Sequence, residues 1–306
     1  MYPNHFADKD MQTTSGCEGH TSIAVIILTF NEASNLPQAL ASVKGWAHEI
    51  FVLDSFSTDN TVEIASQAGC SVVQNAFVDY AKQRNFAIEQ LPIESEWILF
   101  LDADEWLTDE LKAEISRLIE TGPEENGFYI KRRMIWMGKW IRRGYYPSWI
   151  LRLFRRGKGR CEDRAMNEHL IVEGKPGSLQ HDFIHEDQKG IDDWIGKHNR
   201  YATREALELI KREGQHQQEE IKVRFWGTQA ERKRWLRYQV WNRMPPLVRP
   251  FFYFIYRYLL TGAFLEGRAA FVFHFLHSLW YPLLIDAKYL EMKTAAGKKS
   301  SSRANK

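Results

Sequence analysis

The 306-residue sequence is poor in cysteine, in net charge and in long apolar runs, and each shortage excludes something. Its three cysteines, Cys17, Cys70 and Cys161, are scattered and odd in number. They form neither a disulfide framework nor a zinc pattern, so a reducing, cytoplasmic setting is the default expectation. A net charge of +2 is too small for a dedicated nucleic-acid binder, so no nucleic-acid partner is expected. No stretch reaches the roughly 20 uninterrupted apolar residues of a spanning helix. Residues 1–20 are polar, with Asp8, Asp10 and Glu18, and lack the apolar core of a secretory signal. There is no internal repeat. A hydrophobic content of 44% against 26% charged residues is that of a soluble globular chain, long enough for one large domain or one and a half.

What is present is an alternation of strand and helix signals. Residues 23–28 are a β-branched run. Leu36, Leu40 and Val43 follow at helical spacing, closed by Gly45. Residues 49–53 form a second strand signal ending at Asp54, and Ser57 or Asp59 caps a helix carrying Val62, Ile64 and Ala65. A short third strand is expected at 71–74, a helix at 80–90, a fourth strand at 97–101, and a helix from Thr108 with Asp109 and Glu110 in its first turn. This order predicts an α/β fold with a mostly parallel, doubly wound sheet flanked by helices. Residues 128–132, 149–154 and 169–172 read as further strands, and 191–213 as a charged helix.

The most informative stretch is Trp97-Ile98-Leu99-Phe100-Leu101-Asp102-Ala103-Asp104-Glu105. A buried parallel strand runs directly into paired carboxylates, and open α/β sheets place ligands at the carboxyl ends of their strands. Two anions at one strand tip repel each other, and a hard divalent cation such as Mg²⁺ relieves that repulsion.

Other expected strand tips carry Thr29-Phe30-Asn31-Glu32 and Asp54-Ser55-Phe56-Ser57-Thr58-Asp59, with Gln83-Arg84-Asn85 on the helix between them. With these motifs in order, residues 22–205 resemble family 2 glycosyltransferases of the GT-A fold. Trp46–Ile50, Tyr80–Ala87, Arg152–Arg156 and Lys197–Tyr201 are similar to the subgroup that includes lipopolysaccharide inner-core β-1,4-glucosyltransferases. Phe56 and Asn60 stand where that subgroup usually has glycines, and Asn167 stands where a histidine is usual.

The resemblance implies roles. Asp104 would bind Mg²⁺ or Mn²⁺. Asp102 would bind the ribose, or the metal through water, and the metal would neutralise a departing nucleoside diphosphate. Thr29, Asn31, Glu32 and Asp54 would line the pocket of a UDP-sugar, and Arg84 would reach its base or diphosphate. His185 would be a third metal ligand or a diphosphate contact, with His181 as its competitor. An inverting transfer needs a base for the acceptor hydroxyl. Glu162, Asp163 and Glu168 are the candidates, Glu168 first and Asp163 second.

A basic region holding Arg132, Arg133, Arg142, Arg143, Arg152, Arg155 and Arg156 is interleaved with aromatics. It is expected to recognise a glycolipid or phosphorylated saccharide acceptor, since guanidinium forks match phosphate. Trp136, Trp140, Tyr145, Tyr146 and Trp149 are candidates to stack on sugar faces. The expected organisation is a flexible extension at 1–21, a GT-A domain at 22–215, a basic and aromatic helical region at 216–295 that associates with the inner membrane surface from the cytoplasmic face, and a disordered tail at 296–306. A polyprenyl-diphosphate-linked exopolysaccharide intermediate is the alternative acceptor. A non-catalytic membrane scaffold is a distant alternative, since the motif carboxylates are intact. An aspartyl phosphohydrolase is disfavoured by Trp106, which stands where such enzymes want Thr or Val.

Overall fold

The structure is a computed structural model and describes residues 21–162, 169–213, 226, 232, 235, 236 and 239–304. Its first half alternates as the sequence pattern requires: β1 (Thr21–Thr29), α1 (Leu36–Val43), β2 (Ala47–Asp54), α2 (Thr61–Gln67), β3 (Ser71–Gln74), α3 (Tyr80–Gln90) and β4 (Trp97–Asp102). Then come β5 (Glu105–Leu107), α4 (Asp109–Thr121), β6 (Gly127–Trp136), β7 (Lys139–Trp140), β8 (Ser148–Arg155), β9 (Gly159–Cys161), β10 (Leu170–Val172), β11 (Gly177–His185) and α5 (Ile191–Glu213).

The main sheet runs β3-β2-β1-β4-β8-β6-β11-β5, with β7 paired to β6. Its β3-β2-β1-β4 part is wholly parallel, β8 joins β4 antiparallel, and the rest is mixed. Alternate residues of β1 serve opposite faces. Ile23, Val25 and Ile27 pack with Leu36, Leu40 and Val43 of α1 and Leu111 and Ile115 of α4. Ala24 and Ile26 pack with Ala87 of α3, Phe100 and Phe154. Both faces are covered, which is why these strands read as unbroken apolar runs instead of alternating ones.

Only Ala103 and Asp104 separate β4, in the middle of the sheet, from β5, its far edge. Three residue steps span at most about 11 Å. The sheet therefore curls until its edge returns to the tip of β4, and the turn that closes the curl is the D-x-D itself. In the parallel half the register sets Thr29 beside Asp54, and Leu28 beside Asp102, so the strand tips lie abreast.

The helix caps follow local chemistry. Thr108 accepts from Leu111 N (3.2 Å) at the start of α4, and Asp79 accepts from Lys82 N (2.8 Å) at the start of α3. At α2 the cap position is Asn60, which makes no side-chain cap bond; Asp59, one of the two expected caps, stands one residue earlier and accepts from Thr61 N (3.0 Å) and from Ala33 N (3.1 Å), joining the β1 and β2 tips.

The C-terminal region is a helical hairpin. Helix Arg249–Phe254 continues as a π-helical turn, Ile255–Leu260. A turn through Gly262 and Gly267 leads into Arg268–His274, a second π-helical turn Phe275–Trp280, and helix Tyr281–Ala304, which extends into the segment expected as a tail. Phe273 and Ala270 pack on Met134 and Ile141 of the α/β unit. Arg249 and Asp286, both buried, pair at the hairpin base (Nε to carboxylate 3.0 Å). At Gly144 φ is +71°, and a Cβ there would strike the Arg257 carbonyl and Thr261 of the hairpin, so close docking of the two parts depends on that glycine. No helix among the described residues is long and apolar enough to cross a membrane. Of the expected extension at 1–21, Thr21 opens β1 and the remainder lies outside the described residues.

Candidate active site

The site forms where the sheet curls shut. Antiparallel pairing of β5 with β11 sets His185 opposite Glu105, and Glu186 N donates to the Asp104 carbonyl (3.0 Å). Ligating atoms of Asp104, Glu105 and His185 consequently all lie within 4.8 Å of one another. His185 Nδ1 is 3.4 Å from the Asp104 carboxylate, buried, and makes no hydrogen bond among the described residues. Glu105 is fully buried and committed elsewhere: one oxygen accepts from Arg152 (2.8 Å), the other from Asp102 N (3.0 Å).

Asp102 is held by two guanidiniums, Arg152 (2.6 Å) and Arg84 (3.2 Å). Desolvation alone would raise its pKa, but the charges of Arg152 and Arg84 prevail and hold it well below the carboxylate range. Asp104, by contrast, faces His185 and Lys197 Nζ (3.8 Å) from α5. Burial opposes the charge on Lys197, yet Asp104 and the neighbouring Tyr201, Tyr80 and Glu32 raise its pKa above the usual lysine value. A buried anion beside an unpartnered imidazole nitrogen, with both Glu105 oxygens already used, is a donor set that fits a divalent cation held by Asp104 and His185.

The β1–β2 tips form a second layer. Asp54 is fully buried and accepts from Thr29 Oγ1 (3.0 Å), Ser57 N (2.9 Å), Gln74 Nε2 (3.0 Å) and Ser57 Oγ. Burial pushes its pKa up, but these donors outweigh it and the pKa is lowered. Thr29 and Asp54 thus lock three strand tips together. Asn31, at φ +54°, accepts from Thr58 N (2.7 Å), while its own N–H donates to Ser57 Oγ (2.8 Å). Glu32 pairs with Lys189 (2.6 Å) and accepts from Asn35 (2.8 Å), and burial nonetheless raises its pKa. An open cleft of about 320 Å³ lies here, lined by Phe30, Asn31, Asp59, Lys189 and Arg200 among others.

Three consecutive residues of α3 do three different tasks. Gln83 bonds Asn75 and Ser55 at the β2–β3 tips, Arg84 holds Asp102, and Asn85 clasps the backbone of Cys161, donating to its carbonyl (3.0 Å) and accepting from its N–H (2.7 Å). Cys161 ends β9, immediately before the segment with the expected base. Asp163 and Glu168 themselves lie outside the described residues. Glu162 is buried, with His169 Nδ1 3.7 Å from its carboxylate. His181 is not brought to the site, because Glu114 of α4 holds it (2.8 Å).

Most arginines of the expected acceptor region are used inside the protein. Arg152 serves Asp102 and Glu105; Arg132 bonds Tyr145; Arg133 pairs with Asp182 (3.3 Å); Arg155 pairs with Glu96 (2.7 Å); and Arg156 caps the Ile93 carbonyl (2.8 Å). Arg142 and Arg143 are exposed, with Arg142 over the Trp140 ring at 4.5 Å. Trp136 and Tyr145 pack against Phe273 of the hairpin (5.7 and 5.1 Å between centroids), so they are core contacts. Sequence reasoning missed Asn35, Lys189, the fixing role of Glu105, and Lys197, although Lys197 opens one of the motif matches.

The Glycosyl transferase family 2 model matches residues 24–167. An uncharacterized glycosyltransferase of Rickettsia felis is 30% identical over 201 residues, which is 62% of this chain and 70% of that protein. The chain belongs to glycosyltransferase family 2 and is a glycosyltransferase. Among solved structures, S. aureus TarS 1–349 in complex with UDP is 23% identical over 41% of this chain and 39% of that one, with a TM-score of 0.35. A second TarS 1–349 structure aligns with 90% of this chain and 91% of its own at 13% identity, with a TM-score of 0.46.

Proposed function

We propose that this chain moves a sugar, with inversion, from a UDP-sugar to a hydroxyl of a lipid-borne saccharide, in assembly of lipopolysaccharide core or a related cell-surface polysaccharide. The observation that carries the transfer reading is the approach of the Asp104 carboxylate to His185 Nδ1, which makes no hydrogen bond among the described residues, at the tip of β4. Mg²⁺ or Mn²⁺ bound by Asp104 and His185 would supply Lewis-acid neutralisation of the leaving diphosphate. Glu105 and Arg152 fix Asp102, at the start of the same turn, in place. Lys197, 3.8 Å from Asp104, adds positive charge to the region where the diphosphate is expected.

The donor assignment to UDP rests on the order of the family motifs at the strand tips. Asn31, Glu32 and the cleft beside Lys189 are the candidate nucleoside contacts. Thr29 and Asp54 shape that pocket through their mutual hydrogen bond. Glu168, or Asp163, is assigned as the base. Its support is the Asn85–Cys161 clasp, which ties the chain just ahead of that segment to α3, where the preceding residue, Arg84, holds Asp102. The acceptor reading draws on the exposed Arg142 and Arg143 and on the aromatic hairpin beside them.

The test is a donor screen with purified protein, a panel of UDP-sugars, Mn²⁺ or Mg²⁺, and released UDP as readout. Metal-dependent release from one donor is expected. Release that persists in EDTA, or no release from any UDP-sugar, would sink this reading.

A further inference from the structure

We propose that the turn of the C-terminal hairpin is a membrane-docking wedge for an anionic lipid surface. On the first arm, Phe251/Phe252, Ile255/Tyr256 and Leu259/Leu260 recur as pairs four residues apart and are all exposed. Spacing of this kind keeps them on one helical face. The intervening Phe254, Arg257 and Tyr258 turn the other way: Tyr258 packs on Phe254 (5.2 Å) and Phe271 (5.6 Å), and Arg257 lies over Tyr145 (5.4 Å). Exposure peaks at the turn, with Leu260 at 76% and Leu265 at 64%, against 41–57% at the other exposed apolar residues of the two arms.

That peak selects the occupant. An apolar stripe meant for a second copy of this chain would be flat and most exposed at its centre. Here the apolar surface peaks at the hairpin turn, where two exposed leucines can enter the headgroup and acyl boundary of a bilayer. The composition agrees, since aromatics dominate the face and Arg243 and Arg268 flank it, exposed. Sequence charge agrees as well: residues 221–243 carry seven basic side chains against the single acidic Glu231, a complement to anionic headgroups.

The hairpin is also coupled to the site. Glu266 accepts from the backbone N–H groups of Arg142 and Arg143 (both 3.1 Å), and His274 Nε2 meets the Arg143 carbonyl (3.1 Å). Tyr145 of that same loop bonds Arg132 of β6. A docked tip would hold the acceptor loop next to the lipid surface. The proposal rests on the lipid-borne acceptor named above, but its test is independent of turnover.

The full chain is floated with vesicles of phosphatidylcholine alone and of phosphatidylcholine mixed with phosphatidylglycerol. Binding is expected to the mixed vesicles, more weakly to the neutral ones, and to fall with salt. The double variant Leu260→Ser/Leu265→Ser should bind about tenfold less or weaker still, with unchanged thermal unfolding and unchanged UDP release from the donor. If the double variant folds poorly, Leu265→Ser alone is read in the same way. Wild-type protein that ignores both vesicles, or a variant that floats as well as wild type, overturns the proposal. So does a wild-type dimer in sedimentation that the variant converts to monomer without any vesicle binding, because a second copy then covers the stripe. Retained UDP release alongside failed flotation would leave the transfer reading standing.

Discussion

Asp102 and Asp104 stand two residues apart in opposite electrostatic surroundings. Arg84 and Arg152 occupy the Asp102 carboxylate at 3.2 and 2.6 Å, whereas the Asp104 carboxylate faces His185 at 3.4 Å and Lys197 at 3.8 Å. One member of the D-x-D is neutralised by the protein. The other has only longer contacts, to His185 and Lys197.

Asp104→Asn should therefore abolish metal binding while sparing the fold. Mn²⁺ titration by calorimetry or paramagnetic resonance should show the wild-type site lost, with UDP release lower by about a hundredfold or more. EDTA should silence the wild type, and added Mn²⁺ or Mg²⁺ should restore it. A variant that still binds Mn²⁺ stoichiometrically would remove Asp104 from the ligand set.

Asp102→Asn should behave differently, as a stability variant. It would leave Arg152, which is 4% exposed, with Glu105 as its remaining carboxylate. Breaking a buried pair costs roughly 3–5 kcal/mol. With the Asp102 side chain one-third exposed, solvent screening brings that down to about 2–3 kcal/mol. Urea denaturation measures it. The pH dependence has a definite sign. Asp102 and Asp54 both have folded pKa values below the ordinary aspartate value of about 3.9. Their contribution is full above that pH and is lost as the pH falls below it.

Much of the parallel half was legible because β1 and β4 bury both faces and their apolar runs end in polar tips. The second half was not, for a topological reason. β5 is only Glu105-Trp106-Leu107, too short to carry a periodic signal, and its partner β11 showed only Phe183 and Ile184 as an apolar run. The curl they create decides that His185 and not His181 meets Asp104, and it turns Arg152 inward. A sequence lists Arg152 beside Arg155 and Arg156 as one basic cluster. Only the sheet shows that Arg152 points to Asp102 and Glu105 while Arg155 lies over Trp97.

The hairpin contact should be acid-sensitive. His274 is fully buried, and burial, helped by the charge of Arg257, pushes its pKa down to about 4. Its Nε2 meets a carbonyl, so Nε2 carries the proton, and Nδ1 has no hydrogen bond among the described residues. A histidine with a depressed folded pKa stabilises fully above its unfolded value near 6.5 and loses that contribution as pH falls toward the folded value. Between pH 7 and pH 5 the loss should reach about 2 kcal/mol, at 1.36 kcal/mol per pH unit below 6.5. His274→Gln should flatten this part of the stability–pH curve. An unchanged curve would assign the acid sensitivity to other buried groups such as His198, whose pKa burial also lowers to about 4.

Asn85 offers a way to test the base without touching it. Its amide makes both hydrogen bonds to Cys161, and neighbouring Gln83 and Arg84 keep their own partners when Asn85 is changed. Asn85→Ala removes a donor and an acceptor from the backbone that leads into Asp163 and Glu168, at a stability cost of about 1–2 kcal/mol. If that segment carries the base, its misplacement should lower kcat by about tenfold or more while donor KM stays put, because donor contacts lie on other elements. Asn85→Asp keeps the acceptor for Cys161 N–H but opposes the Cys161 carbonyl with a second negative oxygen, so it should rescue neither kcat nor stability in full. If kcat holds while stability drops, the clasp is purely structural, and the base must be sought among carboxylates outside the 163–168 segment, beginning with Glu162.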